Sequence, residues 1–208
     1  MLYDISLSVG PGLALWPGDP PYSLARVSSL RLGDPVNLSA ATLSLHAGTH
    51  VDAPLHLEQQ GADAAGLDLH AYLGPALVVE APSAGAFGLE CVRGLPLREH
   101  PRVLFRTAAW PDPSRFPDAI PAMTADLVDH LAAQGVLLVG VDVPSVDALD
   151  STDLPNHRRL LRHGVAILES LRLSHVPPGP WELIALPLRL KDADASPVRA
   201  VLRPLAPA

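Results

Sequence analysis

The stretch LHAGTHVDAPLHL, residues 45–57, concentrates side chains that bind metal ions. His46, His50 and Asp52 offer two imidazole nitrogens and a carboxylate within seven residues. These groups are ligands for zinc and its first-row neighbours, and three protein ligands leave one coordination position open for water. His56 is an extra histidine that such an open site does not need. The alternative, a loop with ordinary surface histidines, requires four metal-competent side chains to cluster by chance.

The backbone conformation of this stretch decides whether its side chains can meet. On an extended strand, His46, His50 and Asp52 share parity and face the same side, as His56 also does if the extension continues. On a helix, His46 and His50 align but Asp52 does not. Pro54 argues against an unbroken strand through the whole stretch. Gly48 and Thr49 should form a bend that brings the backbone close to the site, with the threonine hydroxyl as a supporting donor.

Two later groups of polar residues are candidates for the same site. His157 and Glu169 lie on a predicted helix and on the strand that returns after it, so the fold can bring them together. Their other interpretation is a solvated helix histidine and a glutamate at a strand end. Asp142, Ser145 and Asp147 follow a buried strand, where they can either support the site or form a turn.

The elements that must position these residues predict an α/β fold. The segment PAMTADLVDHLAAQG, residues 121–135, predicts an amphipathic helix with Thr124 as its N-cap and Gly135 as its stop. The apolar run VLLVGVDV follows as a buried strand. A short helix in NHRRLLRHG and a strand in VAILESL complete this part of the chain.

Further strands are predicted on both sides of this unit, and no repeat or linker divides the chain, so we expect one domain over residues 1–208. Proline and glycine around Trp16 indicate a loop. The segments that indicate strands are YDISLSV near the start, residues 22–32, residues 36–45, ALVVEA, RVLFRT and WELIALPLRL.

Composition excludes several classes of function. A formal net charge of −7 and the lack of a basic run give no electrostatic basis for binding nucleic acid. No uninterrupted apolar stretch approaches the ~18 residues of a membrane span. The single cysteine, Cys91, allows no internal disulfide, and the N-terminus has no secretory pattern. We therefore expect a cytoplasmic protein that does not associate with membranes.

The sequence resembles the cyclase family of metal-dependent hydrolases, and within it the bacterial kynurenine formamidases. The family motif is H-x-G-T-H-x-D-x-P-x-H, and residues 46–56 fill every fixed position. Similarity extends over nearly the whole chain, through YDIS, WPGDPP, GVDVPSVD, RHGVAILESL, ELIALPLRL and ASPVRAVLR. The tryptophan loop and the DVPSVD and ASPVRAV segments are similar to the formamidase branch in particular.

The resemblance implies a site with two divalent metal ions per subunit. His46, His50 and Asp52 would hold one ion, and Asp52, His157 and Glu169 the other. Zinc is the expected metal, with manganese or cobalt as alternatives, because the same nitrogen and oxygen ligands accept all three. The resemblance further implies a barrel-like mixed sheet with flanking helices and a homodimer.

The reaction implied by the resemblance is hydrolysis of N-formyl-L-kynurenine to L-kynurenine and formate. The metal ions would lower the pKa of a bound water to about 7, and His56 would act as the catalytic acid and base. Trp16 would line the aromatic part of the substrate pocket. One alternative is a related hydrolase that opens a cyclic amide such as isatin. Another is a protein that binds metal without catalysis.

Overall fold

The computed structural model describes residues 1–205. They fold around a nine-stranded mixed sheet that is curled into a half-barrel. The strands in this part of the chain are β1 (Tyr3–Asp4), β2 (Ser23–Ser28), β3 (Leu38–Thr42), β4 (His50–Asp52), β5 (Leu73–Glu80), β6 (Ala86–Phe87), β7 (Arg102–Arg106), β8 (Ala122–Met123), β9 (Leu138–Val141), β10 (Ala166–Glu169), β11 (Gly179–Ile184), β12 (Ala195–Pro197) and β13 (Val201–Arg203). The main sheet has the order β1-β13-β11-β5-β7-β9-β10-β4-β12. The α/β class and the barrel-like mixed sheet are thereby confirmed.

The centre of the sheet is parallel and its strands are buried on both faces. Strands β5, β7, β9 and β10 pair in parallel, and nearly every residue of β7 and β9 is buried. Continuous apolar runs suit such strands because helices and outer strands cover both sides. The outer strands pair antiparallel and extend the sheet on both sides into the curled half-barrel.

Two α-helices cover one face of the sheet. They are α1 (Ala125–Ala133) and α2 (Pro155–Arg162). Leu127 and Leu131 of α1 and Leu160 of α2 pack into the apolar cluster on this face. Both helices end as the sequence indicates, because Gly135 and Gly164 follow them with φ angles of 81° and 68°.

The short strand β4 is inserted between β10 and β12 at the edge of the sheet that carries the histidine motif. Antiparallel pairing places His50 opposite Glu169 on one side and opposite Pro197 on the other. Asp52 pairs with Ala195 in the same register. A glutamate more than a hundred residues away is thus brought next to the motif by backbone pairing alone.

The extended conformation that would place all four side chains on one side holds for only three residues of the histidine stretch, and the bend expected at Gly48 is present. Only His50–Asp52 form a strand, while His46 lies in a turn and Pro54–His56 form a single turn of 3-10 helix. Gly48 adopts a φ of 70°, a left-handed conformation that reverses the chain before β4. The motif side chains are brought together by this bend in the backbone, and not by the alternation of side chains along one strand.

Strands β2 and β3 form a separate antiparallel hairpin, shorter than the two segments predicted for residues 22–32 and 36–45. Almost all of its residues are exposed. No helix within residues 1–205 combines the length and the apolar character needed to cross a membrane.

Candidate metal centre

Five residues converge on one buried point, and they are the five that the sequence singled out as metal ligands: His46, His50, Asp52, His157 and Glu169. Ligand atoms of the first three lie within 4.8 Å of one another, and so do those of Asp52, His157 and Glu169. Asp52 is common to both groups. All except His46 have side chains less than 8% exposed.

Asp52 and Glu169 lie between the imidazoles. One oxygen of Asp52 is 3.2 Å from Nδ1 of His46 and 3.4 Å from Nε2 of His50, and the other is 3.5 Å from Nε2 of His157. Glu169 approaches Nε2 of His50 at 3.5 Å and Nε2 of His157 at 3.2 Å. Both carboxylates therefore reach two positions at which a cation could be held.

Each of the three imidazoles has its other ring nitrogen bound to an oxygen outside this cluster. His50 Nδ1 donates to the Gly48 carbonyl at 2.8 Å. His157 Nδ1 lies 2.7 Å from Asp147, and His46 Nε2 lies 3.1 Å from Asp194. Such outer hydrogen bonds orient metal-binding histidines and fix the tautomer whose free nitrogen faces the metal.

Helix α2 is attached to this network at its first turn. The Asp147 carboxylate accepts the backbone N–H groups of Asn156 and His157 as well as the His157 imidazole. It therefore caps the helix and holds the histidine ring with one group. Asn156 donates to the carbonyls of Met123 and Val146, which fixes the helix start against the sheet.

In the metal-free cluster, protons on the histidines balance the negative charges of the carboxylates. Burial alone lowers the pKa of His50 and His157, but the carboxylates that lie within 3.5 Å of the two rings outweigh it and raise the pKa to about 10 for His50 and about 12 for His157. Burial raises the pKa of Asp52, yet the surrounding histidines hold it well below its ordinary value. The carboxylates are therefore anionic and face cationic groups.

The donor set fits divalent cations. Nε2 of His50 and both carboxylate oxygens of Asp52 are buried and have no hydrogen-bond partner within the described residues. Buried polar atoms are nearly always paired, and a site for an ion is one of the accepted explanations when they are not. Three imidazole nitrogens and two carboxylates are also the ligand chemistry that zinc and its neighbours prefer.

His56 lies beside the cluster and not inside it. Its ring centroid is 4.4 Å from that of His46 and 6.3 Å from that of His157, and its side chain is 30% exposed. Its Nδ1 lies 3.5 Å from Asp194, the carboxylate that also contacts His46. Sequence reasoning missed Asp194, because the only signal for it was its position in the segment DADASPVRAV.

A cavity of about 320 Å³ opens onto the cluster. His46, His50, His56, His157 and Glu169 line its floor. Its walls are mostly apolar and aromatic, and Trp16 packs edge to face on Phe116 with ring centroids 5.3 Å apart. Trp16 thus forms part of the aromatic wall of this cavity. The remaining lining residues are Ala14, Leu15, Asp19, Gly48, Trp110, Pro144, Ser145, Ser151, Thr152, Leu154 and Ser170.

The other polar candidates have separate roles. Ser145 accepts the Asp147 N–H and lines the cavity, whereas Asp142 accepts the N–H groups of Thr107 and Ala108 away from the cluster. Thr49 donates to the Ser170 carbonyl at 2.6 Å, which links the histidine turn to the end of β10.

Comparisons with known proteins agree with this geometry. The Cyclase family model matches residues 3–148. A kynurenine formamidase from Bacillus cytotoxicus is 43% identical over 202 residues, which cover 97% of each chain. A structure described as a potential metal-dependent hydrolase with cyclase activity superposes with a TM-score of 0.83 at 26% identity and covers 100% of this chain and 99% of the other.

Isatin hydrolase A from Labrenzia aggregata has the same fold, with a TM-score of 0.80 over 97% of this chain and 93% of its own. Its identity of 22% supports the fold alone. The family model and the formamidase relative cover far more of the sequence than a shared motif would. The chain therefore belongs to the cyclase family, and within it to the group of the bacterial kynurenine formamidases.

Proposed function

We propose that the protein hydrolyses the formamide bond of N-formyl-L-kynurenine and releases L-kynurenine and formate. The observation that carries the proposal is the juxtaposition of the five-residue cluster with an aromatic cavity, in a chain 43% identical to a kynurenine formamidase over nearly its whole length. The protein is an arylformamidase, a hydrolase that acts on a linear amide.

The cluster would hold two divalent cations, with zinc as the first choice and manganese or cobalt as alternatives. His46, His50 and Asp52 would bind one, and Asp52, His157 and Glu169 the other. When bound, such cations act as Lewis acids and lower the pKa of a coordinated water to about 7.

The protein's own residues position the substrate and move the protons. Trp16 and Phe116 would hold the aryl ring, so that the formyl carbon lies above the cluster. His56 would take a proton from the attacking water and deliver it to the aryl nitrogen as the C–N bond breaks. An imidazole side chain can both accept and donate a proton, as this role requires.

Side-by-side assays test this proposal against its alternatives. We expect the purified protein to hydrolyse N-formyl-L-kynurenine faster than isatin, and to lose that activity on treatment with a chelator. Faster turnover of isatin would instead favour a cyclic-amide hydrolase. Bound metal without hydrolysis of either amide would favour a metal-binding protein. Metal analysis of protein purified without chelator identifies the ion.

We further propose that the enzyme works as a homodimer in the cytoplasm. The exposed hairpin of β2 and β3 supports association, because an isolated hairpin is at best marginally stable in water. The lone Cys91 suits a reducing compartment.

A further inference from the structure

The turn Trp16-Pro17-Gly18-Asp19 places two different side chains on the wall of the substrate cavity. The Asp19 N–H donates to the Trp16 carbonyl at 3.0 Å, and Gly18 has a φ of 100°. Proline at the second position and a left-handed glycine at the third are the pattern of a type II turn, whose first and last Cα atoms lie within about 7 Å. Trp16 and Asp19 are therefore held close together, and both line the cavity.

Asp19 is the only acidic residue of the cavity lining apart from Glu169 of the metal cluster. The lining contains no lysine or arginine. Asp19 is partly buried, and no cationic side chain within residues 1–205 lies within 4.0 Å of it. This wall of the cavity thus presents a carboxylate that the protein itself does not neutralise.

We propose that Asp19 recognises the ammonium group of the substrate, an inference that rests on the proposed function. An aryl ring held by Trp16 would carry its ammonium nitrogen four bonds away, a span of about 5 Å, which falls within the limit of about 7 Å that the turn sets on the separation of the Trp16 and Asp19 Cα atoms. A charge-assisted hydrogen bond between ammonium and carboxylate is among the stronger polar contacts.

The charged residues of the cavity lining also predict which part of the substrate's amino-acid group the enzyme recognises. Away from the metal cluster, the cavity lining within residues 1–205 has no lysine or arginine to pair with the substrate's carboxylate, and Ser151 and Thr152 offer only hydroxyls. The substrate class is therefore an aryl formamide that carries a primary ammonium group, with or without a carboxylate.

Three formamides test the inference: N-formyl-L-kynurenine, its decarboxylated analogue, which keeps the ammonium, and its deaminated analogue, which keeps the carboxylate. We expect wild-type kcat/KM for the first two to be similar and at least about tenfold above that for the third. A strong preference for the deaminated compound over the decarboxylated one would overturn the assignment.

Substitutions at Asp19 separate recognition from structure. D19N should lower kcat/KM about tenfold or more on the two ammonium compounds and leave the deaminated compound unaffected, whereas D19E should recover part of the loss. D118N is the matched control, because it removes one exposed negative charge two residues from Phe116 without changing the cavity lining.

The possible failures are distinguishable. If D19N lowers activity equally on all three compounds, or on none, the ammonium assignment is wrong while the proposed function stands. If the metal-loaded wild type hydrolyses none of the three, the proposed function itself fails.

Discussion

The three histidines of the cluster reach their positions through oxygens that a sequence motif does not show. His50 is oriented by the carbonyl of Gly48, two residues before it, whereas His157 and His46 depend on Asp147 and Asp194. The motif itself predicts which nitrogens and carboxylates are available. Asp147 and Asp194 lie on chain segments that meet the histidines only after folding, so their roles cannot be assigned from spacing alone.

At the residue scale, the first prediction concerns His56. H56A should lower kcat about 100-fold to 10,000-fold, the range for loss of a general acid-base group, while metal content stays at the wild-type value. Within residues 1–205, His56 forms an ion pair with Asp194 and none with Asp52 or Glu169, so its loss leaves the ligand set intact. H70A, at an exposed histidine, is the control, and near-normal turnover in H56A would contradict the assignment.

The second prediction concerns Asp194, whose carboxylate contacts both His46 and His56. We expect D194N to weaken metal binding or turnover by about 10- to 100-fold, the usual effect of removing an outer partner of a metal ligand. Titration with zinc and steady-state kinetics measure the two effects separately. D192N is the control, since Asn tolerates the left-handed φ of 57° at this exposed neighbour. Unchanged metal affinity and kcat in D194N would show that Asp194 positions neither histidine.

At the element scale, regular periodicity predicts the structure well where elements are long and buried. The helix over residues 125–133 and the strands β5, β7 and β9 follow their apolar patterns. The histidine stretch is different, because a left-handed Gly48 and Pro54 divide it into a turn, a three-residue strand and a 3-10 turn. Alternation of side chains is informative only when the backbone stays extended, and here long-range pairing with β10 and β12 decides the conformation.

Gly48 provides the prediction at this scale. A Cβ at residue 48 would lie 3.0 Å from Val9 and 3.3 Å from Leu13, in a backbone conformation that costs a residue with a side chain about 1–2 kcal/mol. G48A should therefore lower the free energy of unfolding by at least about that amount, and also reduce metal affinity by displacing the His46 turn.

G85A is a matched control for Gly48, because Gly85 has a similar φ of 75° but open space around its Cβ position. It should show the backbone cost alone, with metal affinity unchanged. Chemical denaturation and zinc titration of both variants separate the two contributions. Equal losses of stability in G48A and G85A, with metal affinity unchanged in both, would show that the contacts with Val9 and Leu13 do not matter.

At the scale of the whole molecule, the metal cluster links pH to stability. In the metal-free protein His50 has a pKa of about 10 against an ordinary value of 6.5, so the folded state holds a proton that the unfolded state releases. This contribution is complete below pH 6.5 and is lost as the pH rises through about 10. Metal binding needs the neutral imidazole and must displace the same proton.

We therefore expect the Tm of metal-free protein to fall between pH 7 and pH 10, and the metal-loaded protein to change less. Thermal unfolding after chelation, across this range, measures the effect. H50Q should reduce the pH dependence of the metal-free protein without abolishing it, because His157, with a pKa of about 12, still holds a proton that the unfolded state releases. H70Q, at an exposed histidine, should leave the pH dependence unchanged. A metal-free Tm that stays constant or rises from pH 7 to pH 10 would contradict the protonated cluster.

Packing within a single chain does not account for the exposed apolar side chains of the hairpin of β2 and β3. Six large apolar side chains of the hairpin and its connecting segment are more than half exposed, at residues 24, 27, 30, 32, 36 and 38. Contiguous apolar surface of this kind is typical of sites that bind another protein. The hairpin also connects the Trp16 turn of the cavity to the histidine turn, so that a second copy packed on it would stabilise two walls of the site from outside.

This arrangement predicts a dimer that depends on the hairpin. L24D should shift the protein toward the mass of one 22.0 kDa chain in sedimentation experiments, because a buried carboxylate without a partner is costly in an interface. L69D is the matched control, since Leu69 is 51% exposed against 54% for Leu24 but lies outside the hairpin. A wild type that sediments as a monomer at micromolar concentration, or an L24D variant that stays dimeric, would show that the hairpin does not bind a second copy.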